Sequence, residues 1–556
     1  MSYLKFDKKQ LVNLEYSLQR EILHSNRAGS YSCTTLSECN TRKYHGLLIC
    51  PNDALDGGKH VLLSSLDATI IQHGEEFNLG IHKYQGDNYE PKGHKYIRDF
   101  ETDIIPVTTY RVGGVVLTME RLLVEMTEQV LIKYTLVDAH SPTKLRFKPF
   151  LAFRNVHDLS HSNLYANTKY ETVENGIRLK LYEGYPYLNM QLSKQVEYIP
   201  NPDWFYNIEY LKEKTRGYEC LEDLYVPGYF EVDIKKEESI IFSGATFEDK
   251  PSQFSRKFTN ELKKKTPRSS FFGCLQNSAE QFFVKTPNFT DIQAGYPWYN
   301  GRINQTFVAL PGLSLAMDDT SLIKRILKTN IGRLKNGLFP VKWGRFHSEY
   351  NAVDAPLWFF WTIQKLVDEL GGNVSVWKNY HKVFKEILSA YKNGTTYSIH
   401  MQENGLISAD YMGVALTWMN AYSEGKPVTP RYGNPVEINA LWYNAIRFAL
   451  ELADNVADKA FVDEWKPVAE LVEQSFISTF WSDEKGYLAD YVHHGNQDWS
   501  IRPNQVVAVA LKYSPLSKEM KKSVLSLDRG LVLRRLPLGL FRFSGRSLGR
   551  CCPNDA

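Results

Sequence analysis

The hydrophobic period of this chain changes once, near residue 248, and that change constrains its fold more than any other feature. From about Val61 to Thr246, short apolar runs are separated by turn residues: HVLLSSLDATII, GGVVLTMERLLVEM, EQVLIKYTLVDA, GIRLKLYEG and ESIIFSGATF. Several alternate apolar and polar residues, as half-buried antiparallel strands do. Their regular spacing predicts a many-stranded sandwich over 1–247. The stretch 248–270, EDKPSQFSRKFTNELKKKTPRSS, is charged and poor in β-branched residues; it reads as a partly helical linker. After Phe271 the period is helical. The pattern predicts helices at Phe271–Val284, Asn304–Met317, Ser321–Asn336, Asp354–Leu370, Val374–Ala390, Val436–Leu452, Asp458–Phe480 and Asn504–Tyr513. The loops between them are rich in Gly, Pro, Trp and charge: GYPWYNGR, KWGRFHSEYNAVD, TWMNAYSEGKPVTPRYGNP. Helices alternating with such loops suit a toroid over 271–522 whose active site is built at one end.

Composition removes several function classes. At 556 residues the chain exceeds one ordinary core. No window approaches the roughly 20 apolar residues of a membrane helix, and MSYLKFDKKQLVNLEY has no apolar leader segment. A cytoplasmic protein is expected. A net charge of +3 with interspersed signs does not suit nucleic acid as the main partner. Cys33, Cys39, Cys50, Cys220 and Cys274 are scattered singly, as reduced structural thiols are, and Cys551 and Cys552 lack metal-site spacing. His24, His45, His82, His347 and His400 show no ligand spacing, and no GxGxxG, P-loop or HExxH occurs.

Aromatic residues make up 13% of the chain. Flat amphipathic rings bury sugar faces, so carboxylates beside them in loops are the natural catalytic candidates: glycosidic cleavage needs one acid and a second carboxylate. Asp354, in SEYNAVDAPLWFFW, opens an apolar helix, five residues after Glu349. It reads as a helix N-cap or as a site carboxylate. Glu437, in TPRYGNPVEINALWYNA, follows Pro435 and lies near Arg431. It reads as a dipole-stabilising surface residue or as a buried carboxylate of tuned pKa, the usual form of a glycosidase acid. Arg302 and Arg345 are each close to a Trp and suit a sugar hydroxyl or the solvent equally.

Five blocks carry a family resemblance: NRAGSYSCTTLSECNTRKYHGLLI, AGYPWYNGRINQTFVALPGL, YNAVDAPLWFFW, LTWMNAYSEGKPVTPRYGNPVEINALWYNA and SIRPNQVVAVAL. In this order, over about residues 15 to 515, the chain resembles the archaeal and bacterial glycogen-debranching enzymes of the amylo-α-1,6-glucosidase family. The resemblance implies an N-terminal antiparallel β-sandwich followed by an (α/α)6 barrel. It implies inverting hydrolysis of the α-1,6-linked glucosyl branch of limit dextrin, with glycogen or another α-glucan as partner and neither metal nor organic cofactor. Glu437 and Asp354 become the catalytic candidates. Trp298, Arg302, Trp343, Tyr350, Trp418, Asn420 and Arg431 become candidates for holding the sugar, with Trp358 and Trp442 either stacking or core.

Three departures from the family pattern stand out. The W-G-R-D-T loop is represented by NGRINQT, without the Asp. Asn420 occupies the place of the TWMDA aspartate; an amide binds a hydroxyl but donates no proton at a useful pKa. The barrel reads as incomplete, because a HxGxxWPW-like block is absent. Residues 523–556 carry six Arg and no Lys, against 19 Arg and 41 Lys before them, and read as a frame change or a truncated gene. The departures leave two alternatives beside the hydrolase: a non-catalytic α-glucan-binding pseudoenzyme, or a glycoside phosphorylase, for which no Gly/Ser/Lys phosphate cluster is visible.

Overall fold

The computed structural model describes residues 3–287, 289–317, 319–342 and 349–531. They form two compact units, one of residues up to 302 with 312–329, the other of 303–311, 330–341 and 349 onward.

The first unit holds two antiparallel sheets. The nine-stranded sheet runs in the order Leu4–Asp7, Ile97–Thr102, Pro106–Val112, Val115–Leu123, Gln129–Asp138, Ser239–Ala245, Leu188–Leu192, Gly176–Leu179, Glu171–Val173. The ten-stranded sheet runs Glu21–Ser25, Tyr31–Thr35, Gly46–Pro51, Lys59–Gln72, Thr143–Asn155, Leu221–Ile234, Glu197–Glu209, His82–Tyr84, Asn88–Glu90, with Glu75–Asn78 added to Lys59–Gln72. Leu117, Ile132, Tyr134 and Phe242 of the first share a core with Leu48, Leu63, Leu145 and Phe147 of the second. The Tyr134 and Phe147 rings pack at 4.9 Å. Each fully buried Leu there contributes about 1.5–3 kcal/mol. The ten-stranded sheet has a second core on its other face, of Tyr31, Ile49, Phe150, Ala152, Leu224 and Val226. Period two explains both: Tyr225 turns to the shared core while Leu224 and Val226 turn away from it. Strands therefore begin well before Val61. Tyr31–Thr35 is buried at every residue, and a Ser/Thr/Cys-rich strand covered on both faces shows no apolar alternation to read.

The segment after Phe247 contains the helix Phe254–Leu262. The five singly spaced cysteines are all free thiols; Cys551 and Cys552 lie outside the described residues, as does most of 523–556.

The second unit is helical: Ala355–Leu370, Asn373–Asn393, Val436–Asn455, Lys459–Phe480, Asn504–Ala510 and Lys518–Leu531. The first two are joined by Gly371 and Gly372, at φ +72° and +95°, backbone open to glycine at little cost. Phe360 stacks on Phe384 at 4.5 Å, and Trp442 on Tyr391 at 5.8 Å. The helix Val436–Asn455 is buried from Val436 through Ile446 without a break; only a helix surrounded by others can be apolar on all sides. Several helix ends differ from the periodic reading: Phe271–Val284 stops at Phe282, where the strand Phe283–Lys285 begins, and Val436–Leu452 runs on to Asn455. Ser321–Asn336 is replaced by Thr320–Ile331, because Asn336 and Gly337 take φ +49° and +73° between the bridged Lys335 and Leu338, the Asn-Gly turn chemistry that competes with helix. The helix from Asn504 stops at Ala510, where Leu511 turns extended. The helix from Asn373 runs on to Asn393, ended by Gly394 at φ +95°. Short hairpins between the helices, such as Ile399–Met401 with Ile407–Ala409, carry too few residues for a periodic signal. No helix among the described residues is long and apolar enough to cross a membrane.

Candidate active site

Asp354 immediately precedes the helix Ala355–Leu370 and is 1% exposed. Its backbone carbonyl accepts from the Leu357 and Trp358 amides at 3.0 and 2.9 Å, but its carboxylate makes no capping hydrogen bond. The N-cap reading therefore fails for the side chain. Oδ2 accepts from Asn304 Nδ2 at 3.1 Å, while Oδ1 is buried without a partner. Burial raises the Asp354 pKa to about 6; Asn304 and the Asp354 and Ala355 amides oppose the rise, and the charge of Glu437 adds to it.

Glu437 lies in the first turn of Val436–Asn455 and is also 1% exposed, which removes the surface-dipole reading. The two helices are joined behind the carboxylates by Asn444 Nδ2 donating to Gln364 Oε1 at 3.1 Å. Arg431 grips Glu437 with both terminal nitrogens, at 2.5 and 2.6 Å, the two-pronged geometry a guanidinium offers a carboxylate. Its Nε donates to Asp490 Oδ2 at 2.7 Å. Burial pulls the Arg431 pKa down, and the Glu437 and Asp490 carboxylates more than offset it, so the group ends above the ordinary arginine value. Asp490 also accepts from Arg502 Nη1 at 2.6 Å and Asn504 Nδ2 at 2.7 Å. Asn504 Oδ1 in turn accepts from Trp418 Nε1 at 2.8 Å. Trp418 is 46% exposed, so a buried chain of charges ends on a ring open to solvent.

The catalytic and sugar-holding candidates Asp354, Glu437, Arg431, Trp418, Tyr350 and Asn420 lie in this unit. The first four belong to one constellation. Tyr350 donates its hydroxyl to the Arg333 carbonyl at 3.1 Å, and Asn420 is half-buried in the loop after Trp418. Trp298 and Arg302 belong to the other unit. There Trp298 is 36% exposed, edge-on to Tyr44 at 6.4 Å with the Arg42 guanidinium 5.1 Å from its ring, and Arg302 lies 4.8 Å over Tyr299. Trp343, Arg345 and His347 lie outside the described residues. Trp442 is core rather than a sugar platform: it is fully buried and donates to the Gly405 carbonyl at 3.1 Å. Trp358 is half-buried, edge-on to Trp361 at 5.4 Å.

Asn304, Asp490, Arg502 and Asn504 escaped the sequence reading as site residues. Arg502 and Asn504 stand in SIRPNQVVAVAL and Asn304 in NGRINQT, both recognised as blocks. Asp490 had no such signal; only the pairing of Asn434–Pro435 with Tyr491–His493 brings it to Arg431.

The same pairing demands Gly433. It sits at φ +85°, and a Cβ there would lie 2.3 Å from the Val492 carbonyl oxygen. Gly433→Ala is expected to destabilise this unit by more than about 1–2 kcal/mol, the cost of the left-handed conformation alone. The urea midpoint measures it; an unchanged midpoint would contradict this register.

Residues 20–241 match the family model described as glycogen debranching enzyme N terminal, and residues 277–547 match amylo-alpha-1,6-glucosidase. No curated relative matches the chain. A bacterial glucoamylase solved in complex with acarbose has a similar fold, with a TM-score of 0.51 and 9% identity over 92% of this chain and 78% of that chain.

Proposed function

We propose, from the premise that this chain belongs to the glycogen-debranching enzyme family of amylo-α-1,6-glucosidases, that it hydrolyses the α-1,6-glucosidic branch points of glycogen or limit dextrin. The helical part is read as an (α/α)6 barrel over 271–522, in keeping with the glucoamylase likeness, and 1–247 as the debranching N-terminal domain. The observation that carries the proposal is the pair of buried carboxylates at the starts of two joined helices.

Cleavage requires that one carboxyl keep its proton while its neighbour stays charged. Asp354 suits the first role, because its pKa of about 6 leaves it part-protonated near neutrality. Its Oδ1, free of protein partners, is the oxygen from which a proton can pass to the glycosidic oxygen. Burial holds this proton in place, and the charge of Glu437, paired with Arg431, adds to it. Trp418 offers an exposed face for a glucose ring, and Asn420 an amide for its hydroxyls.

Glucose release from limit dextrin by the full chain tests the reading. In kcat/KM, activity is expected to fall on the alkaline side with an apparent pKa of about 6. No glucose release between about pH 4 and 8 would overturn it. Asn420 favours a second reading, α-glucan binding without turnover. Retardation in glycogen-containing gels together with no glucose release would establish that one instead.

A further inference from the structure

A second group of chemistry-bearing residues stands apart from the carboxylate pair. Asp410, directly after the strand Ile407–Ala409, accepts from His493 Nε2 at 3.0 Å. His494 follows in sequence, and the two imidazole rings lie only 4.0 Å apart. One ligand atom from each of the three lies within 4.8 Å of the others.

Two facts make this arrangement unusual. Consecutive residues of a strand point to opposite faces, so neighbouring histidines ordinarily diverge. Here the hairpin of Tyr491–His493 with Asn496–Asp498 turns through His494 and Gly495, at φ +49° and +79°. The left-handed backbone at His494 brings its ring back over His493. Such a position is open to Gly and, among residues with a β-carbon, to Asn, Asp and His more than to most. The turn thus packs one histidine against another beside a carboxylate.

We propose that Asp410, His493 and His494 form a binding site for one divalent transition-metal ion, with Zn2+ the type case. Two imidazoles and one carboxylate are the ligands that borderline ions such as Zn2+, Ni2+ and Cu2+ prefer over Mg2+ or Ca2+. His494 is exposed and the other two are half-buried, so the remaining coordination positions open to water. The sequence conceals the site, because its ligands come from segments 83 residues apart. The ion would also act on structure. Segment 411–430 leaves from Asp410 and returns at Arg431, and Arg431 is tied to Asp490 on the same hairpin as the histidines. Metal at Asp410 fastens the other end of the loop that carries Trp418 and Asn420.

Isothermal titration of the untagged, chelator-treated full chain with ZnCl2, repeated spectroscopically with Co2+, tests the proposal. About one equivalent is expected to bind, the melting temperature to rise with free Zn2+, and Co2+ to give visible bands of oxygen and nitrogen ligation. His494→Gly relaxes the turn and so keeps the fold; it is expected to weaken binding at least about tenfold. Asp410→Asn, which retains a hydrogen-bond acceptor for His493, should also weaken it. No stoichiometric binding, or the same affinity in both variants, would overturn the site. A cobalt–thiolate charge-transfer band would overturn it too, since none of the three ligands is a thiol; among the described residues, Glu21, Cys33 and His45 form a cluster that could give such a band.

Discussion

Asp354→Asn is expected to lower glucose release from limit dextrin by about 10²–10⁴-fold while leaving the protein folded. The range is what a positioned proton donor contributes. The amide keeps an oxygen for Asn304 Nδ2 and fits the same space. The variant separates chemistry from structure through pH. Asp354 binds its proton more tightly in the folded protein than in the unfolded chain, about 6 against 3.8. Its favourable contribution is therefore complete below the unfolded value and fades as pH rises to about 6. Over that window the stability of the variant relative to the natural chain should improve by about 3 kcal/mol, at 1.36 kcal/mol per pKa unit. Denaturation midpoints across pH measure this difference, and glucose release measures the other. Undiminished activity would exclude Asp354 as the donor. A flat stability difference would show that its carboxyl titrates as an ordinary aspartate.

Arg431→Met should cost the helical unit about 3–5 kcal/mol, the penalty for removing one partner of a buried ion pair. Glu437 would lose the two hydrogen bonds that Arg431 donates to it, whereas Asp490 would keep Arg502 and Asn504. Most of the loss should therefore trace to Glu437, and Glu437→Gln combined with Arg431→Met should recover much of it. Arg431→Lys should fall between, because an ammonium keeps the charge but not the fork. The urea midpoint is the measurement, and a loss below about 1 kcal/mol would mean that the network is solvated rather than buried.

The sequence carried the two-part organisation because burial imposes a period that the chain must obey, two residues in Val115–Leu123 and three to four in Ala355–Leu370. It failed where burial is two-sided, as in Tyr31–Thr35, and where backbone chemistry overrode period, as at Asn336–Gly337. It also carried the short-range half of the site. Arg431 and Glu437 are six residues apart around a turn and first helical turn, so their pairing was legible locally.

What only the tertiary structure decided is which distant groups share a space with them. Asp490 reaches Arg431 through strand pairing, and Arg502 and Asn504 reach Asp490 as the chain returns. Asp354 acquires its raised pKa because packing removes water from it. A sequence fixes the order of charges along a chain, but ion pairing and desolvation depend on distances and dielectric surroundings that exist only once the chain has folded.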